Sequence, residues 1–376
     1  MTSEVLRLGF IGAGAINFGR HPLPWDHASR LETIGGIDVV CIVDPDTAQA
    51  ERVLKARKES AHSACYKNCK LFKELSGLIS LKPDAVFIGI PPAYRGSLAS
   101  GKDIELQCVR AGINVFVEKP LSVAPPEEFE PYVEAVEKAC KENGVVLSVG
   151  YMFRYHAGFM KMRELIQQHG GKVMAVNARY YFAYTSSLNK FWWNHDLSGG
   201  PIVEQATHFC DISRFLVGDI DTSTLHTITL DDSDPSGAGH LAYNSNEAEV
   251  DILPKDRIPR VTMSHWKFEN AGLGTLMHSI ALPGTRYEAN VDVQLDGLKL
   301  SMIEPYEKTC VLRMRSIDSK DPNCDQDFTF ADDDTYLTEL RTFLQAVRKR
   351  DQSLIKSSYR DAAKTYAMTW AIRRKQ

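Results

Sequence analysis

Short apolar runs alternate with helix-forming segments through roughly the first 150 positions. Residues 5–11, 37–43, 85–90, 114–117 and 145–149 are almost continuously apolar, the pattern of strands buried on both faces. Between them, 48–58 reads as helix, and 127–143 sets Phe129, Val133, Val136 and Cys140 at helical spacing before Gly144, a residue suited to the left-handed end of a helix. Strand followed by helix, repeated, predicts a parallel sheet covered on both sides: a doubly wound α/β domain.

Beyond residue 150 the period changes. Residues 173–181 and a series within 261–317 read as strands with no helix between them. Tyr287, Ala289, Val291, Val293 and Leu295 alternate with Arg286, Glu288, Asn290, Asp292 and Gln294, a period of two that marks a half-buried strand. The expectation is an α+β domain with an antiparallel sheet covered on one face. Residues 201–217 form its main helix, stopped by Gly218, and 231–246 is a polar loop. Helices at 336–350 and 359–374 end the chain. The predicted domains are 1–150 and 151–376, with the C-terminal helices free to pack back on the first.

The 376 residues suit two domains, and 44% hydrophobic with 24% charged residues excludes disordered, collagenous and coiled-coil chains. Lys and Arg number 44 against 48 Asp and Glu, a net charge of −4, so no basic field points to nucleic acid or an anionic membrane. No apolar run approaches the ~20 residues that cross a bilayer, and 6–15 is broken by three glycines, so no secretory leader is expected. Eight cysteines are scattered, and only Cys65 and Cys69 lie close. No second ligand pair completes a zinc site, so no metal is expected, and the thiols fit a reduced, cytoplasmic protein.

Candidate chemistry begins at the first turn. Gly12-Ala13-Gly14-Ala15-Ile16-Asn17 follows the first strand, where a dinucleotide pyrophosphate needs close backbone approach and a helix N-terminus. Asn17 stands where the fingerprint has its third glycine. Asp44 ends the second strand, placed to accept hydrogen bonds from ribose hydroxyls and to repel a 2′-phosphate, which argues for NAD and leaves NADP as the alternative. Ile90-Pro91-Pro92 closes the third strand.

Glu118-Lys119-Pro120 follows the fourth strand, at the sheet edge where ligands bind in open α/β folds. A lysine there can donate or accept a proton. Glu204 and His208, four apart in the predicted helix, share a face and form an acid/base pair. Arg154, just after the last α/β strand, is a candidate for substrate or nicotinamide contact, or for packing. Trp192 and Trp193 precede the glycine pair Gly199-Gly200 and could stack on cofactor or substrate, or be core. Trp25 and His27 lie in the long first loop, and His265 and His278 read as sheet residues.

In this order, the glycine turn, Asp44, Ile90-Pro91-Pro92, the segment ending Glu118-Lys119-Pro120, and Gly199-Gly200-Pro201-Ile-Val-Glu204-Gln205-Ala-Thr-His208 resemble the Gfo/Idh/MocA oxidoreductases. The resemblance implies a Rossmann domain binding NAD or NADP and an α+β second domain whose open, mostly antiparallel sheet forms a homodimer or homotetramer interface. It implies Lys119 and His208 as catalytic groups flanking the nicotinamide, with Glu204 where many members carry Asp. Gly12, Gly14, Ala15, Ile16, Asn17, Asp44, Ile90, Pro91, Pro92, Glu118, Lys119, Arg154 and Trp193 are then the cofactor-binding set, and Lys119, Arg154, Trp192, Glu204 and His208 the substrate set. The expected reaction moves a hydride between nicotinamide and a secondary alcohol or ketone of a sugar, polyol or cyclic alcohol. A redox-neutral enzyme with tightly held NAD, or an NAD-sensing regulator such as the galactose-pathway repressor of this fold, remains the alternative.

Overall fold

The apolar runs of the first part become six parallel strands: β1 (Leu6–Ile11), β2 (Ile37–Val43), β3 (Lys70–Phe72), β4 (Ala85–Ile88), β5 (Asn114–Val117) and β6 (Leu147–Val149). They lie in the order β3-β2-β1-β4-β5-β6. Chain direction across the sheet reverses between β1 and β4, the switch point outside whose carboxyl ends doubly wound folds bind ligands. Short β3, which pairs with only three residues of β2, carries too little apolar pattern to be read from sequence. The computed structural model describes residues 5–19, 26–184, 194–231, 233–235, 253 and 257–375. Most of the predicted polar loop at 231–246 lies outside them.

Two units divide the chain, Met1–Tyr155 with Thr335–Ala363, and His156–Asp334 with Lys364–Gln376. The first therefore runs five residues past the expected boundary at 150 and takes back a segment from the end of the chain. The reason is apolar. Helix Thr335–Lys349 buries Leu340, Phe343, Leu344 and Val347 in the cluster that holds Phe10, Phe87 and Phe116. Phe343 meets Phe87 and Phe116 edge-on, each at 5.6 Å between ring centroids, a favoured aromatic geometry. Helix Tyr359–Arg373 crosses from one unit's residues to the other's.

Edge strand β6 shows how the same segment satisfies backbone groups. The Gln352 side chain accepts from Leu147 N at 2.8 Å and donates to Leu147 O at 2.9 Å. One carboxamide thus stands in for a seventh strand, and the edge is capped.

In the second unit eight strands, β7 (Ala175–Ala183), β8 (Ile220–Leu230), β9 (Val261–Phe268), β10 (Leu273–Leu282), β11 (Glu288–Leu295), β12 (Leu298–Ile303), β13 (Thr309–Ser316) and β14 (Gln326–Ala331), make one sheet. Its order is β14-β13-β12-β11-β7-β10-β9-β8. Every neighbour pair is antiparallel except β7 with β10. The period of two appears as predicted: Ala289, Val291, Val293 and Leu295 are buried. Helices Ala157–His169 and Thr207–Val217 pack on the sheet, while Met263, Leu273 and Ile228 are exposed. No described helix is long and apolar enough to cross a membrane.

Replacing Gln352 by Ala removes both bonds to the β6 edge and is expected to cost about 1–2 kcal/mol of unfolding free energy. Urea unfolding measures it; an unchanged midpoint contradicts the capping role.

Candidate active site

The glycine turn sits at the carboxyl end of β1, beside the switch point. Gly12 has φ +95, and a Cβ there would come within 2.8 Å of Ile90 Cγ2 and 3.0 Å of the Gly89 carbonyl oxygen, so only glycine fits. Above exposed Gly14 a Cβ would meet nothing within 4 Å. The turn therefore offers bare backbone and open space, the shape that a pyrophosphate requires.

Asp44 fixes that shape. Its Oδ2 accepts from Ala13 N at 2.6 Å and its Oδ1 from Asp46 N at 2.8 Å. The carboxylate thus ties the end of β2 to the turn after β1. Gln49 adds a bond to the Ala13 carbonyl at 3.2 Å.

The helix after the turn is only Ala15–Phe18. Asn17 is fully buried, and its Nδ2 donates to the carbonyls of Ile11 at 3.0 Å and Gly12 at 2.7 Å. It braces the turn from beneath and is not exposed to a phosphate. Ala15, Ile16 and Ile90 are half-buried, Pro91 is exposed and Pro92 is buried.

Lys119 follows β5, half-buried, and its bond to Pro120 is cis. The residue that holds this loop is Arg95, which sequence reasoning missed. Arg95 is 1% exposed. Its guanidinium donates to the carbonyls of Glu118, Pro120 at 2.7 Å, Leu121 at 3.0 Å and Ile90 at 3.3 Å, and to Glu105 Oε1 at 2.9 Å. Tyr132 donates to the other Glu105 oxygen at 2.7 Å. At Gly96, φ +70, a Cβ would strike the Leu121 carbonyl oxygen at 2.1 Å, so this approach also needs glycine. Partners so far apart in sequence leave no local signal.

Glu118 turns inward. Its Oε1 lies 3.0 Å from Nε2 of His27, a buried ring set against Phe87 and Phe116. Glu118 thus anchors the loop one residue before Lys119. Arg154 is likewise committed: it pairs with Asp361 and donates to the Lys356 carbonyl at 2.6 Å, with 3% exposure. Both contacts favour the packing alternative for Arg154. Trp25, Trp192 and Trp193 lie outside the described residues.

In the second unit the predicted helix 201–217 is broken. Pro201–Glu204 and Thr207–Val217 are separate helices, because the amides of Gln205 and Ala206 both reach the Pro201 carbonyl, each at 2.9 Å. An i→i−5 bond widens the turn, so spacing alone no longer sets Glu204 and His208 on one face. Glu204 is half-buried and His208 buried. A rigid network follows: Thr365 donates to Asp211 at 2.8 Å and accepts from Arg214 at 2.6 Å, and Arg214 Nε donates to Asp219 at 3.0 Å.

A second cluster has the composition of a nucleophilic triad. Cys310 Sγ lies 3.4 Å from His156 Nε2, and His156 Nδ1 lies 3.9 Å from Asp333. However, Nδ1 accepts from Gly158 N at 3.0 Å, and burial pushes the thiol up to about 11. An imidazole and a thiol so held are packing groups, not an activated nucleophile. All eight cysteines are free, and no group of three or more metal-ligating side chains occurs among the described residues.

Known proteins agree with this frame. The family model described as "Oxidoreductase family, NAD-binding Rossmann fold" matches residues 6–151, and one of an oxidoreductase C-terminal domain matches 154–298. Protein UNK4.17 of Schizosaccharomyces pombe, uncharacterised, is 37% identical over 99% of this chain and 91% of its own. The scyllo-inositol 2-dehydrogenase (NAD(+)) of Bacillus subtilis is 28% identical over 55% of this chain and 54% of its own. The 3-ketoreductase KijD10 from Actinomadura kijaniata, solved with NADP, superposes with a TM-score of 0.69 at 15% identity over 98% of this chain and 97% of that one, which shows a shared fold. The chain belongs to the Gfo/Idh/MocA oxidoreductase family and is an NAD(P)-dependent dehydrogenase or reductase.

Replacing Arg95 by Met leaves Glu105 buried without its cation and is expected to destabilise the protein by roughly 3–5 kcal/mol. Adding Glu105→Gln should recover part of that loss in urea unfolding. A double variant no more stable than Arg95→Met contradicts the charge argument.

Proposed function

We propose that this oxidoreductase moves a hydride between NAD and the secondary alcohol or ketone of a sugar, polyol or related cyclic alcohol. The observation that carries the reading is the pinned loop: Arg95 holds the carbonyls on both sides of Lys119 at the end of β5. A reacting oxygen needs such a fixed donor, because a donor that need not reorganise stabilises developing charge most. Support for the substrate class comes from relatives named as inositol dehydrogenases and a D-xylose dehydrogenase.

NAD, when bound, supplies nicotinamide C4 as the hydride acceptor or donor. The chain's own residues do the rest. Gly12, Gly14, Ala15 and Ile16 carry the pyrophosphate, with Ile90, Pro91 and Pro92 beside them. Asp44, already aimed at the turn, accepts from the ribose hydroxyls and disfavours a 2′-phosphate. For alcohol oxidation His208 takes the hydroxyl proton, Lys119 hydrogen-bonds the same oxygen, and Glu204 orients them; reduction runs these steps in reverse. The exposed apolar residues of the eight-stranded sheet support a homodimer or homotetramer. Eight free thiols support a cytoplasmic location.

The test is NADH absorbance with purified protein, NAD or NADP, and a panel of polyols, inositols and aldoses. Turnover with one compound is expected, and Lys119→Met should lower kcat by about 100-fold or more while nucleotide affinity changes far less. Retained turnover in that variant removes the role of Lys119. Asp44→Ser should weaken NAD binding and raise the relative use of NADP, read from the two kcat/KM values; an unchanged ratio contradicts ribose recognition by Asp44. Bound NAD with no net turnover on any compound favours the redox-neutral or sensing alternative.

A further inference from the structure

The widened turn between Glu204 and His208 carries a side chain that the reaction scheme above does not use. Gln205 is buried, and its Oε1 lies 2.9 Å from Nε2 of His278 on β10. His278 is itself 1% exposed. Its ring meets Tyr180 edge-on at 5.5 Å, and Tyr180 stacks on Phe209, the neighbour of His208, at 4.9 Å. Burial holds the imidazole down to about 3, so the ring is neutral near pH 7 and carries one N–H. With the carboxamide oxygen as acceptor, that proton sits on Nε2.

The other half of the carboxamide is the informative part. Gln205 Nε2 is buried and makes no hydrogen bond with any described residue. A buried donor left unpaired is costly, and in native proteins it calls for a partner supplied by solvent or ligand. A widened turn within a helical segment is also a recurrent feature of functional sites. Polar wiring from a strand, a donor held in readiness and the flanking Glu204 and His208 meet in this turn.

We propose that His278 is a positioning residue acting through Gln205: it holds the carboxamide oxygen and so presents the carboxamide NH₂ to a hydroxyl or keto oxygen of the substrate. The proposal rests on the oxidoreductase reading and adds a substrate-recognition group to it. An oxygen-rich substrate suits this donor, whereas an apolar one would leave it unpaired.

The test is a double-mutant cycle, assayed at saturating nucleotide with the compound that gives turnover. His278→Phe and Gln205→Leu are each expected to lower kcat/KM about 10- to 100-fold, chiefly through KM, with nucleotide affinity unchanged. The double variant should be no worse than the weaker single one, because both remove the same donor. His278→Gln, which can still hold the carboxamide, should restore most of the activity. In histidine-labelled protein the NMR signal of a ring protonated at Nε2 should persist to about pH 4 and shift in Gln205→Leu.

Losses that multiply in the double variant, or a Gln205→Leu protein within about twofold of wild type, overturn the proposal. If His278→Phe does not fold, Gln205→Leu and His278→Gln decide alone. Wild-type protein without turnover refutes the oxidoreductase reading, whereas an active wild type with indifferent variants refutes only this inference.

Discussion

A guanidinium cut off from water must find acceptors for its N–H groups, and the first unit is arranged around how Arg95 does so. Its acceptors are carbonyls at the ends of β4 and β5 and one buried carboxylate. Removing water raises the cost of leaving any of these bonds unmade. The loop that carries Lys119 therefore has one low-energy path. Gly96 allows the close approach from one side, and the Glu118–His27 pair holds the loop from the other. Lys119 is thus a half-buried side chain on a loop fixed at both flanks.

The same logic of fixed ends operates at the glycine turn. Asp44 joins the end of β2 to Ala13, and Asn17 joins the turn to β1 from below. Beneath both lies the aromatic cluster completed by Phe343 from the end of the chain. Three strand ends thus share one packed core, and the core is closed by a segment more than 300 residues away from β1. In the second unit the wiring is neutral where it reaches Gln205 and charged where Arg214 meets Asp219.

Features set by local pattern were legible in the sequence. The strand runs, Gly12, Asp44 and the alternation of Ala289 through Leu295 all follow from neighbouring residues, and each has its structural counterpart. Arg95 was not legible, because its acceptors are mostly backbone carbonyls up to 26 residues away, and carbonyls carry no sequence identity. Nor was the break at Gln205-Ala206, since both are good helix formers, and the His278 contact of the Gln205 side chain lies 73 residues on. The fingerprint places Asn17 beside the turn, but the bonds of its buried side chain to the Ile11 and Gly12 carbonyls leave no local signal. Helix Thr335–Lys349 was legible as a helix, while its place in the first unit's core was left open, because periodicity shows an apolar face but not what covers it.

The central claim is that the pinned lysine loop and the glycine turn serve hydride transfer. The most direct measurement is label transfer: purified protein, NAD, and polyols, inositols or sugars deuterated at the carbinol carbons, with mass spectrometry and NMR of the nucleotide. The account predicts deuterium at C4 of the nicotinamide from one member of the set. Nucleotide that binds but never acquires deuterium from any of them contradicts it.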